Sequence, residues 1–487
     1  MTAELIKELE VDIFTLPLAD ENCLAAQGAE ITIGDLHGNA MKLLFLLVKH
    51  GIAKNLSEAD YQQLVAIYKT GVNALSQQHL RDFNAILDKI EFNTAATVRL
   101  VGDELADRGN NDYYTLKILQ KLHQHHVPVE ILFSNHGVEF IEAYEKQGHF
   151  HAPMLQGWLA RSLESLQILI DRGLVSRDEL IKIADEAYKP TLRAIAYTLS
   201  EDKTSIVLFS HAGIGLNTIK HIAEHLGVAY ADRTAIELAQ TIDAINVVFQ
   251  QHVKENTVHA LYEHADMEKG YSGMSVDLTN APFAMLIWNR CYDLIDRPAA
   301  LSNGNSLAFV HGHDADDPTQ DNIYNLDNAL GKLERLNKGE YTVLYSKPED
   351  VKIRAILKKI DVALSGLSNK IGKADQHQFP EACSQAITLL ADLRLARNRY
   401  RQNLNNPQLA AEHAEKTFKE QCAAAIQVAK PILERDLGWG DYLINLLKTI
   451  TSAVMGLVGA NAFFTHTKSE SSEAVNQLEQ DLGPESM

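Results

Sequence analysis

Six residues of this sequence could together hold divalent cations. They are Asp35 and His37 in GDLHGN (34–39), Asp103 in GDELADRG (102–109), Asn135 in SNHG (134–137), His211 in SHAGI (210–214) and His313 in HGHD (311–314). Carboxylate, amide oxygen and imidazole without thiolate suit hard-to-borderline divalent metals. Asp35 and His37 stand two apart after an apolar run, so both can point the same way from a strand end. One carboxylate, Asp103, could bridge two ions. Two metals about 3.5–4 Å apart activate a water and stabilise phosphoryl oxygens during in-line attack on a phosphoester.

Such residues need a scaffold that delivers them to one place. The runs EITIGD (30–35), TVRLVGD (97–103), VEILFSN (129–135), SIVLFSH (205–211) and SLAFVHGH (306–313) read as buried strands. Residues 39–50, 112–125, 155–171 and 233–252 carry apolar side chains at helical spacing. Strands alternating with helices predict an α/β architecture. All five strands end in or run into Asp, Asn or His, and open α/β sheets bind ligands beyond the carboxyl ends of their strands. One such residue reads as a turn former or helix cap; five in order read as a site. Asp35 and Asp103 stand much further apart than the roughly 30 residues of a βαβ unit, so residues 52–92 are expected to form a helical insertion. Residues 140–200 are expected to be helical too, capping the strand ends.

From about residue 350 the composition shifts to consecutive helices, read as a C-terminal helical hairpin or bundle over 350–465. NNP (405–407) marks a turn, and Pro431 is expected to end or kink the third helix. The apolar run 442–464, broken by Lys448, is short of the about 20 residues a spanning helix needs. A buried bundle helix is the first reading and membrane attachment the second. The basic run 393–401 reads as a solvated helix face, with an anionic-lipid patch as the alternative. HQHH (123–126) reads as a solvated helix end.

The five blocks resemble the calcineurin-like metallophosphoesterases, and within them the phosphoprotein phosphatase (PPP) branch, whose pattern is GDxHG, GDxxDRG, GNH, a SHAG-like histidine and a final histidine after a strand. The similarity runs in order over residues 30 to about 347, with NLDNALGK (325–332) and YTVLYS (341–346) resembling the closing strands. It implies a central β-sandwich flanked by helices, within a phosphatase domain spanning 1–349. It implies that Asp35, His37 and Asp103 hold one metal, and Asp103, Asn135, His211 and His313 the other. The pair would be manganese first, with iron or zinc as alternatives. Arg108 would face the substrate phosphate, with Arg290 in WNR (288–290) as the second phosphate-binding arginine. His136 would protonate the leaving oxygen, and Asp107 would orient it. His311 would then be structural. GDELADRG has one residue more than the family pattern between its aspartates, so a bulge is needed to bring Asp107 to His136. Ser134 replaces a glycine, and Gly137 replaces an acidic residue.

The chain has 487 residues, 46% of them hydrophobic, and a formal net charge of −19. That composition excludes wholesale disorder, and the acidic balance argues against nucleic acid as a partner. Four dispersed cysteines exclude a disulfide framework. No cleavable secretory peptide is visible at the N-terminus. Residues 466–487 are acidic, polar and expected to be flexible. A PPP phosphatase with a helical appendage and such a tail resembles the Wip-type effector phosphatases of Legionella-like bacteria. That resemblance implies type IV secretion into a host cell, with a phosphoprotein substrate in the host cytosol or at a membrane; otherwise the protein would be cytoplasmic. It leaves open phosphoserine/phosphothreonine against phosphotyrosine. It also leaves a small-molecule (dinucleoside polyphosphate type) phosphatase, and a catalytically weak scaffold whose helical domain recruits a host partner.

Overall fold

The computed structural model describes residues 4–19, 29–146, 149–155, 157–200, 203–274, 276–315, 317, 321–346, 351–375, 378–404 and 411–454. Cys23, the 405–407 turn, residues 455–464 of the apolar run and the acidic tail lie outside them. The chain divides into two compact units, Met1–Pro348 and Glu349–Met487.

In the first unit the strands are β1 (Glu4–Asp12), β2 (Glu30–Ile33), the short pair β3 (Ala53–Lys54) and β4 (Glu91–Phe92), β5 (Thr97–Leu100), β6 (Val129–Leu132), β7 (Leu192–Arg193), β8 (Ala196–Leu199), β9 (Ser205–Phe209), β10 (Ser306–His311), β11 (Ile323–Asn325) and β12 (Lys338–Ser346). One sheet has the order β1-β12-β2-β5-β6-β7, and a second the order β11-β10-β9-β8. Val101, Leu132, Val207, Phe209, Val310 and Leu344 meet in one buried cluster between the sheets. The central strands β2, β5 and β6 pair in parallel, as do β9 and β10. Strands buried on both faces read as continuous apolar runs, which is why these five were legible. Helices cover the outer faces, with the largest buried cluster beneath them. The fold is thus α/β, two sheets flanked by helices.

Residues 52–92 form α2 (Glu58–Lys69) and α3 (Gln77–Leu87), after α1 (Ala40–Lys49). Asn39 caps α1 by accepting from the N–H groups of Met41 and Lys42. After α4 (Asp112–Gln124) come α5 (Gly137–Glu145), α6 (Arg161–Asp171) and α7 (Arg177–Ile183). The expectation that 140–200 is helical throughout needs correction, because β7 and β8 occupy its end. In β8 the side chains alternate buried and half-buried, a pleat rather than a helical period. Between β7 and β8 the Asn246 amide accepts from the Ala194 N–H at 3.0 Å and donates to the Ile195 carbonyl at 2.6 Å. β1 gave no strand signal in the sequence; Leu5 and Leu9 are exposed, and its pairing depends on β12.

Later in this unit come α8 (Leu216–His225), α9 (Ala235–Glu255), α10 (His264–Tyr271) and α11 (Pro282–Trp288). The second unit holds α12 (Val351–Ile371), α13 (Pro380–Leu404), α14 (Ala411–Leu437) and α15 (Gly440–Val454) around its own core. Pro431 does not end α14, which continues to Leu437. An interior proline costs about 3 kcal/mol, and the burial of Ile426, Ala429 and Leu433 on either side of it offsets that. Leu443, Leu446, Leu447 and Ile450 of α15 are buried in the same core. Among the described residues no helix is long and apolar enough to cross a membrane.

Candidate metallophosphatase site

Parallel registers keep the carboxyl ends of β2, β5 and β6 level, Ile33 with Leu100 and Leu100 with Ile131, and those of β9 and β10 level, Phe209 with Val310; contacts of His211 with Val101 and Asn135 bring the two sets of ends together. The residues just beyond are the ones singled out from sequence. Asp35, His37, Asp103 and Asn135 line one cavity of about 420 Å³, and so do His136, Arg108, Arg290 and His313. His211 stands behind Asn135, with Nε2 2.6 Å from its Oδ1.

Three of these residues adopt left-handed backbone conformations: His37 (φ 57°), Asp103 (φ 54°) and His313 (φ 68°). Such conformations cost roughly 1–2 kcal/mol in non-glycine residues and concentrate at functional sites. Two glycines permit the close approaches. A Cβ on Gly109 would lie 1.7 Å from the Gly38 carbonyl oxygen, so the GDLHGN and DRG turns touch only because residue 109 is glycine. A Cβ on Gly312 would lie 1.8 Å from Asp35 Oδ1.

The donor set fits divalent metal ions. Asp35 Oδ1, Asp103 Oδ1 and His313 Nε2 are buried and make no hydrogen bond, an arrangement that is costly without a cation. Among the described residues two groups of three ligand atoms lie close enough to hold an ion, Asp35–Asp103–His211 and His37–Asp103–Asp107, and Asp103 belongs to both. The resemblance puts Asp35 with His37; here Asp107 stands in Asp35's place. Burial, then the charges of Asp327 and Asp103, push the Asp35 carboxyl well above its ordinary range. Burial also lowers His211 and His313, the latter helped by His211, Arg290 and His136, which keeps both imidazoles neutral as ligands must be. The His211 Nδ1–H donates to the Val101 carbonyl at 3.1 Å, so Nε2, which here meets Asn135 Oδ1 at 2.6 Å, is the nitrogen that would turn to a metal. His37 is likewise held at both nitrogens: Nδ1 is 3.3 Å from Asp107 and Nε2 2.7 Å from the Asn328 carbonyl. As a ligand it would exchange one of these contacts.

The extra residue of GDELADRG is absorbed at Ala106, which takes φ 57°. Its N–H donates to Asp112 Oδ2 at 2.9 Å, and its carbonyl accepts from His136 Nδ1 at 2.8 Å. Asp107 thereby reaches His136, 3.5 Å from Nε2, while also accepting from Arg108 at 2.6 Å. Both ring nitrogens of His136 thus face oxygen atoms, of Ala106 and Asp107. Burial pushes Asp107 up, but His136, His37 and Arg108 outweigh it and hold its carboxyl well below the usual range. Ser134 is not idle: its hydroxyl accepts from the N–H groups of Asp103 and Gly137, tying two site turns together. His311 points elsewhere, with Nε2 2.8 Å from Asp317, which Arg297 also binds at 2.6 Å. The HQHH stretch is exposed at the end of α4.

Several residues escaped the sequence reading. Asp327 approaches His37 (3.7 Å). Lys42 is buried beneath the site, donating to the Asp35 carbonyl at 2.5 Å and Asn328 Oδ1 at 3.0 Å. Burial pulls its ammonium down to about 8 against the pull of Asp327, Asp35 and Asp107. One cation inside the apolar stretch AMKLLFLLV was the available signal. Trp288 packs edge-on to His313 with centroids 5.6 Å apart, and Tyr271 packs on Trp288 at 5.8 Å. Both line the cavity with Leu155 and Leu159 of the 140–200 insertion.

Comparison with known proteins agrees with this geometry. Residues 97–332 match the family described as "WipA-like, phosphatase domain". The phosphatase domain of the Legionella effector WipB is similar in structure, with a TM-score of 0.55 and 36% sequence identity; the match covers 58% of this chain and 99% of that one. No curated protein matches the chain. With a neighbour at this identity covered almost end to end, on top of the domain match, the chain belongs to the Wip-type phosphatases and is a phosphatase.

Proposed function

We propose that this phosphatase is metal-dependent and acts on phosphoproteins, as an effector in a host cell. The observation that carries the metal dependence is Asp103, shared by two ligand groups and flanked by buried donor atoms without hydrogen bonds. Asp35, His37, Asp103, Asn135, His211 and His313 would hold two divalent ions, manganese in the first instance, with iron or zinc as alternatives. Once bound, the ions would supply an activated water and positive charge for the phosphoryl oxygens. The chain's own residues do the rest. Arg108 and Arg290 hold the phosphate by charge-assisted hydrogen bonds. His136 gives a proton to the leaving oxygen, and Asp107 keeps its ring oriented and charged. The similarity to a Legionella effector supports the host setting.

The test is phosphate release, with manganese present, from phosphoserine and phosphotyrosine peptides of one sequence, beside dinucleoside polyphosphates. Release from a peptide supports the phosphoprotein reading and sets the residue class. Turnover of the nucleotides alone would replace it with a small-molecule phosphatase.

A further inference from the structure

Trp158 is 61% exposed, on the turn Gly157–Ala160, yet its ring lies over the Arg108 guanidinium, 5.0 Å from Cζ to the ring centroid. The turn is tied to the loop that carries Arg108. The Ser162 N–H donates to the Asp107 carbonyl at 2.9 Å, and the Asp107 N–H donates to Ser162 Oγ at 3.0 Å. The Gly157 N–H donates to Glu164 at 3.1 Å, which holds the turn onto α6. Arg108 itself is anchored at one edge, where NH1 donates to Asp107 at 2.6 Å; its buried Nε makes no hydrogen bond. An anchor at one edge leaves a planar fork free to rotate. An indole face 5.0 Å from Cζ restricts that freedom and favours the cation.

We propose that Trp158 is a positioning residue for Arg108, so that the 140–200 insertion sets the affinity of the site for phosphate. The proposal rests on Arg108 being a phosphate ligand. It places Trp158 where any phosphorylated substrate meets the fork, whatever group bears the phosphate.

Four variants test it: Trp158→Ala, Trp158→Phe, Arg108→Ala and the Trp158→Ala/Arg108→Ala pair. The readouts are inhibition by inorganic phosphate, and KM and kcat for a small phosphate ester. Trp158→Ala is expected to weaken phosphate inhibition and raise KM about fivefold, with the change in KM rather than kcat; at 1.4 kcal/mol per tenfold this is about 1 kcal/mol. Trp158→Phe should recover most of it. In the Arg108→Ala background Trp158→Ala should change nothing further, because a residue acting through another is not additive with it. If Arg108→Ala weakens phosphate and Trp158→Ala does not, or costs as much without Arg108 as with it, the positioning role is overturned. If Arg108→Ala itself leaves phosphate inhibition unchanged, the phosphate-ligand assignment fails first.

Discussion

His136→Ala separates proton donation from metal binding. His136 is 4% exposed, makes no capping bond to α5, and meets Ala106 and Asp107 through its two ring nitrogens. It belongs to neither ligand group, so its removal is expected to leave both ions in place. General acid catalysis contributes roughly 10²–10⁴-fold, which is about 2.7–5.4 kcal/mol of barrier at 1.36 kcal/mol per tenfold. That contribution matters when the leaving oxygen is a poor one. An alkyl phosphate should therefore lose about 10²–10⁴-fold in kcat, whereas a nitrophenyl phosphate, whose phenolate leaves unaided, should lose less than about tenfold. The assay is kcat for both esters, with metal content measured on the same preparation. Equal losses on the two esters with full metal content would refute His136 as the proton donor. Loss of metal would make it part of the binding site instead.

Other consequences concern metal geometry and stability. Gly312→Ala should fold yet bind metal poorly, because its Cβ would occupy the space of Asp35 Oδ1; metal content by elemental analysis reads this directly. Burial raises Glu139 to about 8, so the native state holds a proton that the unfolded chain releases above about 4.5. Stability should fall by up to about 1.4 kcal/mol per pH unit from this group between those values. Glu139→Gln, which keeps the acceptor for the Met154 N–H, should remove that slope in denaturant unfolding. Lys42→Met removes the buried cation under Asp35, and should cost about 3–5 kcal/mol of stability by leaving carboxylates uncompensated. A midpoint unchanged by that substitution would show that the cation is not needed there.

The strand ends were legible because each central strand is a short apolar run that stops at Asp, Asn or His, and parallel registers bring such stops level. The partners that hold those ligands were not. Asn328 and Asp327 reach His37 from almost 300 residues away, a contact that no local spacing encodes. Trp158 reads as one more apolar residue of a helical insertion, and its place over Arg108 depends on Ser162 bonding to Asp107. β7 and β8 were hidden inside a segment read as helical, since strands this short carry little periodicity. The bulge in GDELADRG was predictable as a need; that Ala106 would adopt left-handed backbone and present its carbonyl to His136 was not.

As proposed, Asp103 would join two metal ions in one catalytic centre. The measurement is the metal content and the manganese-dependent phosphate release of the wild-type chain beside Asp103→Asn. Two ions per chain and metal-dependent release in the wild type, with turnover abolished and metal lost in Asp103→Asn, are expected. Undiminished phosphate release from the metal-stripped chain, or from Asp103→Asn, would rule out a metal centre built on Asp103.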